Sequence, residues 1–184
     1  MKITKELLKE KGACADGYRD FLKEYPVDKY PDGVEYQELL DCCAEKNFSY
    51  GSWLLGAFGK TDEVRKIGGD LIAEKGIIFA GRLEVKGCIK AGWGIKAGNG
   101  IKAGRGIKAG WGIEAGWGIE AGNGIKAGYG IEAGDGIKAG DEYGIYAGLR
   151  CRITNKTLRK IIAKKRPENI MCGEFEEKSD SEGK

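Results

Sequence analysis

From Ile89 the chain reads IKAGWG IKAGNG IKAGRG IKAGWG IEAGWG IEAGNG IKAGYG IEAGDG IKAG, a period of six residues that does not slip until Asp141-Glu142-Tyr143 adds two residues before Ile145. Few folds can absorb such a unit. Within each rung Ile and Ala alternate with Lys or Glu, so a strand buries Ile and Ala on one side and turns the charge outward. The Gly-x-Gly that follows reads as a corner, where glycine is expected to take backbone angles closed to other residues. The glycines fall two and four apart, never every third, which excludes a collagen-like helix. Three such sides close a coil of eighteen residues. Degenerate copies carry the period back through Leu71, Ile77 and Leu83, making about twelve rungs in about four coils. With strands about 4.8 Å apart the stack is about 20 Å tall. One coil cannot bury its own inner face, so stacking is obligatory and both ends need caps. The expected fold is mainly β: a three-sided β-solenoid over residues 67–150, with a helical cap in front of it.

The cap is expected in residues 1–66. Segments 3–11, 15–24, 35–46 and 49–58 read as short amphipathic helices, separated by turn signals at Pro26 and at Pro31-Asp32-Gly33. Residues 151–166 are expected to close the other end. Arg152, Lys156, Arg159, Lys160, Lys164, Lys165 and Arg166 make this segment basic without a single acid. The spacing predicts a cap at Arg150–Thr154 and then a helix near Leu158–Lys165, with Leu158, Ile161 and Ile162 on its inward side. Beyond it, residues 167–184 read as a polar, mobile tail.

The repeat block and its lead-in, GRLEVKGCIKAGWGIKAG, resemble bactofilins and other polymer-forming β-solenoids of bacteria and phages, over about residues 77–150. The resemblance implies a right-handed coil that assembles end to end without nucleotide. The helical domain departs from that pattern, since it should block one end of a polymer. ITKELLKEKGACADGYRDFLKEYP, with SYGSWLLGAF after the next helix, is similar to a small helical module of phage and mobile-element proteins. The shared residues are Ala13-Cys14, Gly17, Phe21 and Trp53-Leu54-Leu55, and no activity is carried over with them. Hexapeptide acyltransferases also repeat every six residues, but they place a small residue where this chain has Trp, Asn, Arg, Tyr or Asp. They also use a histidine base, and this chain contains no histidine.

Little in the chain supports catalysis. Without histidine the commonest general base is missing. Glu114, Glu120 and Glu132 fall on outward faces of a convex rod, where solvated charge is the ordinary role. No phosphate loop precedes a helix. The six cysteines, Cys14, Cys42, Cys43, Cys88, Cys151 and Cys172, form no C-x-x-C pair and read as buried reduced thiols. No cofactor or metal is expected. No apolar run reaches membrane-spanning length, and the first residues lack a signal peptide's apolar core, so a cytoplasmic protein with no membrane partner is expected.

Adding eighteen residues per coil sorts the outward charges into rows. One row alternates as Glu84, Lys102, Glu120, Lys138. A second, Lys96, Glu114, Glu132, is partly compensated. The third, Lys90, Lys108, Lys126, is entirely positive. Like charges at strand spacing repel by about 1 kcal/mol in water before screening, and directly opposed like charges weaken a sheet. After this third row comes the corner Trp93, Trp111, Tyr129, and before it a corner carrying Arg105. Two readings of the rings stay open: they stack on one another to shield the corner, or they serve as contact anchors beside uncompensated cations. On the second reading Lys90, Lys108, Lys126, Trp93, Trp111, Tyr129 and Arg105 bind an acidic protein surface or nucleic acid. The alternative is a structural, polymer-forming protein that associates through its solenoid ends.

Overall fold

The computed structural model describes residues 1–152 and 154–179. The chain is a parallel β-solenoid of about six turns, each of about eighteen residues, preceded by four helices. Three parallel sheets form its faces. The first contains Val64–Ile67, Arg82–Val85, Ile101–Ala103, Ile119–Ala121 and Ile137–Lys138. The second contains Leu71–Ala73, Ile89–Ala91, Ile107–Ala109, Ile125–Ala127, Ile145–Tyr146 and Ile170–Cys172. The third contains Ile77–Phe79, Ile95–Ala97, Ile113–Ala115, Ile131–Ala133, Lys160–Ala163 and Glu174–Glu177. Ile sits on Ile and Ala on Ala from coil to coil, and both are buried throughout the repeat.

Four findings correct the expectations. The solenoid begins before residue 67, because Val64–Ile67 already pairs with Arg82–Val85. It also runs past residue 150. The helix expected near Leu158–Lys165 is a short 3-10 turn at Lys156–Arg159 followed by the strand Lys160–Ala163. Period-two burial wins over period 3.6 there: Ile161 and Ala163 point inward as the I-x-A of one more rung, and Ile161 pairs with Ile131. In the segment expected to be a mobile tail, Ile170–Cys172 and Glu174–Glu177 extend two of the sheets. Ile153, within the expected Arg150–Thr154 cap, and residues 180–184 of the tail lie outside the described residues.

The fourth correction concerns the corners. No glycine of the repeat takes a left-handed φ; the positive values fall at Gly12, Gly33, Gly59, Gly148 and Gly173. The requirement is close approach instead. A Cβ on Gly110 would lie 1.8 Å from the carbonyl oxygen of Gly92 in the coil before it, and one on Gly134 equally close to that of Gly116. Alanine is excluded by collision with backbone that cannot move.

The helices are α1 (Lys5–Glu10), α2 (Ala15–Glu24), α3 (Tyr36–Lys46) and α4 (Phe48–Phe58), close to the expected spans. Thr4 caps α1 by accepting from the Leu7 N–H, and the Cys14 thiol does the same for α2 at Gly17. Leu8, Phe21, Leu39, Leu40, Leu54 and Leu55 bury the inner sides of these helices. Ile78 and Ala80 of the first coil belong to this same core. Gln37 of α3 then acts as a strand partner: its amide donates to the Ile78 carbonyl at 2.8 Å and accepts from the Ala80 N–H at 3.0 Å. The Gly76 N–H adds a bond to the Ala44 carbonyl. The helical domain therefore satisfies the leading edge of the third sheet.

Two outcomes follow from this construction. Deleting residues 113–130 removes one coil in register and spares the Gln37 bonds and the first coils. Circular dichroism should show a folded protein with a cooperative melt, and loss of that melt would count against interchangeable coils. Deleting residues 1–59 exposes Ile78 and the strand edge behind it, so sedimentation should show aggregation or concentration-dependent assembly. A truncated chain that remains monomeric would mean that the edge needs no cover.

Candidate functional site

The three faces differ in how their outward charges are held. On the first face Lys66, Glu84, Lys102, Glu120 and Lys138 stand in register, and Lys102 Nζ lies 3.0 Å from a Glu120 carboxylate oxygen. On the third face Lys96 meets Glu114 at 2.7 Å, Glu132 meets Lys178 at 2.9 Å, and Lys160 pairs with Glu176. Each of the three glutamates set aside as catalytic candidates, Glu114, Glu120 and Glu132, thus has a lysine partner. On the second face Lys90, Lys108 and Lys126 stack directly, and none has a carboxylate partner among the described residues. Lys126 instead places its ammonium 5.2 Å from the centre of the Tyr146 ring.

The aromatic corner is packed within itself yet still partly exposed. Trp93 and Trp111 are stacked, with ring centres 5.2 Å apart and planes 4° from parallel. Phe48 of α4 packs edge-on against Trp111 at 6.1 Å, and the Lys75 ammonium lies 5.5 Å from the Trp93 ring. These contacts favour the shielding reading for both tryptophans. Tyr129 continues the column, donating from its backbone N–H to the Trp111 carbonyl, and its ring is exposed to about the same degree as that of Trp111, 38% against 36%.

Arg105 does not add a free cation. Its guanidinium pairs with Asp70 of the first coil's corner, and Asp70 also accepts from the Cys88 N–H at 2.9 Å. The Cys88 amide and then the guanidinium hold the Asp70 carboxyl down at about 2. Arg105 is exposed, but its charge is already paired within the corner.

Three residues outside the original set join the face. Tyr146 and Ile72 continue the lysine row below Lys126 and above Lys90. Ile72 falls eighteen residues before Lys90 and could have been read from the period. Tyr146 is displaced by the insertion at Asp141-Glu142-Tyr143, which hides it from the same count. Arg150 donates its backbone N–H to the Gly128 carbonyl and lays its side chain over Gly110 and Gly128, between the lysines and Tyr129. Nothing in the repeat announces that position. Lys90, Lys108, Lys126, Arg105, Tyr143 and Tyr146 line a shallow groove of about 510 Å³.

A second cavity, of about 330 Å³, lies among the helices against Leu8, Phe21, Leu39, Leu54, Cys42 and Cys43. Burial pushes the Cys43 thiol up to about 12, helped by Cys42 beside it, so it stays protonated and is a poor nucleophile. Of the six free cysteines only Cys88 is buried; Cys14 is exposed and the others are intermediate. Among the described residues no group of three His, Cys, Asp or Glu is placed to hold a metal ion, and no helix is long and apolar enough to cross a membrane. No protein-family model matches the chain, and no curated protein or solved structure is significantly similar to it. The functional reading therefore rests on the geometry of the faces.

The Asp70 pairing has a pH signature. A carboxyl held below its ordinary value near 3.8 contributes stability above that value and loses it as the pH falls toward about 2. Asp70→Asn should melt below wild type at pH 6, with the difference closing between pH 4 and pH 2. A constant offset across that range would show that the charge is not what matters.

Proposed function

We propose that the protein is a non-enzymatic interaction module whose solenoid presents the Lys90, Lys108 and Lys126 face to an anionic macromolecule. The supporting observation is the contrast between faces. One repeat unit builds all three, yet lysine and glutamate pair on two of them, while the third stacks lysine on lysine with no acid in the row. Each such contact costs a fraction of a kcal/mol to about 1 kcal/mol, and a single Glu in the row would relieve it. Arg150 and the partly exposed rings of Trp111 and Tyr129 add a cation and contact area beside the row. The resemblance of the helical module to phage and mobile-element proteins makes an acidic host protein, such as a subunit of a defence complex in the cytoplasm, the first partner to try.

A second reading is end-to-end assembly of the bactofilin kind. In its favour, Ile72 and Met171 are exposed on the first and last strands of the same sheet. Sedimentation of the full chain separates the two: filaments or large oligomers favour assembly, a monomer the interaction module.

The proposal is tested by charge reversal on two faces, with poly-glutamate and a DNA duplex as probes. Lys108→Glu breaks repulsion with both neighbours and should leave Tm unchanged or raise it by about 1–3 °C. It should weaken binding of the preferred probe by about tenfold or more. Lys102→Glu puts three glutamates in a row, should lower Tm by a similar amount, and should leave binding within about twofold. Equal effects of the two variants on binding, or no binding of either probe at low salt, would remove the face from the function.

A further inference from the structure

The outward row of the second face continues beyond its lysines. Ile72 stands in register before Lys90 and Tyr146 after Lys126, so the row runs Ile, Lys, Lys, Lys, Tyr over five successive coils. Both ends are apolar and open. Ile72 is 65% exposed, and Met171, bulged out beside Tyr146, is 67% exposed. At about 4.8 Å per coil the three ammonium positions cover about 10 Å and the whole row about 19 Å. A partner that satisfies the row needs three anions at that spacing between two apolar groups.

Building on the reading of this face as an anion-binding surface, we infer that its partner is an acidic amphipathic α-helix lying along the solenoid axis, with carboxylates at positions i+4, i+7 and i+11 and apolar side chains at i and i+14. A helix rises 1.5 Å per residue, so alternating steps of four and three residues advance about 5.3 Å on average along one face. The three carboxylates then span about 10.5 Å and the five positions about 21 Å, each within about a tenth of the row's own length. An extended strand presents same-side residues about 6.8 Å apart, and its third carboxylate overshoots the third lysine by about 4 Å. The phosphates of a duplex wind around its axis, so a straight row of cations parts from them after one or two contacts.

The width of the face fits as well. A three-residue strand is about 10 Å long, close to the diameter of a helix with its side chains. The corner formed by Trp111 and Tyr129, with Arg150 in front of it, borders one side, and Arg105, Asn123 and Tyr143 border the other. Glu142 lines the groove on this second side and repels any acid turned toward it, which sets the rotation of the bound helix.

The test uses the full chain and synthetic Ala-rich helical peptides of eighteen residues. One carries Leu, Glu, Glu, Glu and Leu at positions 1, 5, 8, 12 and 15. A control has the same composition with the glutamates spread around the helix, and a short DNA duplex serves as the third probe. At physiological salt the striped peptide should bind at least about tenfold tighter than the control. Binding should fall about tenfold with Lys108→Glu and several-fold with Ile72→Ser, both with melting unchanged or improved. Changing the peptide's central Glu to Lys should restore binding to the Lys108→Glu protein. Equal binding of the two peptides, or preference for DNA, each lost on Lys108→Glu, would overturn the helix inference and leave the anion-binding face standing. Failure of all three probes to bind even at low salt would overturn both.

Discussion

Each corner of the repeat brings a glycine against a carbonyl of the coil before it, so closely that a Cβ at Gly110 would lie 1.8 Å from the oxygen. Only glycine tolerates that approach at the spacing and register that the strand ladders impose. Once register is held, position 89 can only sit on positions 71 and 107, and within the repeat Ile meets Ile and Ala meets Ala, while the first coils set Leu71 against Ile89 and Phe79 against Ala97. The core is narrow because six-residue sides enclose little space, and within the repeat it is filled by Ile and Ala alone, so those coils are close to interchangeable. Glycine here acts through absence of bulk. Among the described residues, left-handed backbone falls at unique turns such as Gly33 and Gly148.

The same register turns each charge into a property of a whole face. A single Lys or Glu on an ordinary sheet finds mixed neighbours, whereas here it meets whatever stands eighteen residues away. Alternation therefore yields ladders of ion pairs, such as Lys102 with Glu120, and repetition yields ladders of repulsion, such as Lys90, Lys108 and Lys126. The first stabilises a face modestly, since exposed pairs contribute little each. The second costs stability at every step.

The two ends are closed by different means. At the start, α3 lends the Gln37 side chain to the backbone of the first coil, and Ile78 turns outward into the helical core instead of into water. At the far end no α-helix is used among the described residues. The chain adds rungs whose charges are tied by pairs such as Lys160 with Glu176 and Lys178 with Glu132. The leading strand Leu71–Ala73 is left more open than Ile77–Phe79, and it carries the exposed Ile72.

Periodicity alone was enough to read the solenoid, the inward Ile and Ala, the three charge rows and the four helices, because each depends on residues close in sequence or on a constant offset. Its reach ended where the offset changed. Ile161-Ile162-Ala163 and Ile170-Met171-Cys172 keep the I-x-A pattern, or nearly so, but irregular spacing and neighbouring lysines made the first look like a helix and the second like a tail. The partners of the seven candidate residues were also out of reach. That Arg105 is held by Asp70, that Phe48 packs against Trp111, and that Arg150 folds back over Gly110 depend on contacts between segments whose separation follows no repeat. A repeating chain specifies its register locally. Only the closed tertiary structure decides which stacked charges are neutralised and which face is left bare, because that depends on where the non-repeating ends come to rest.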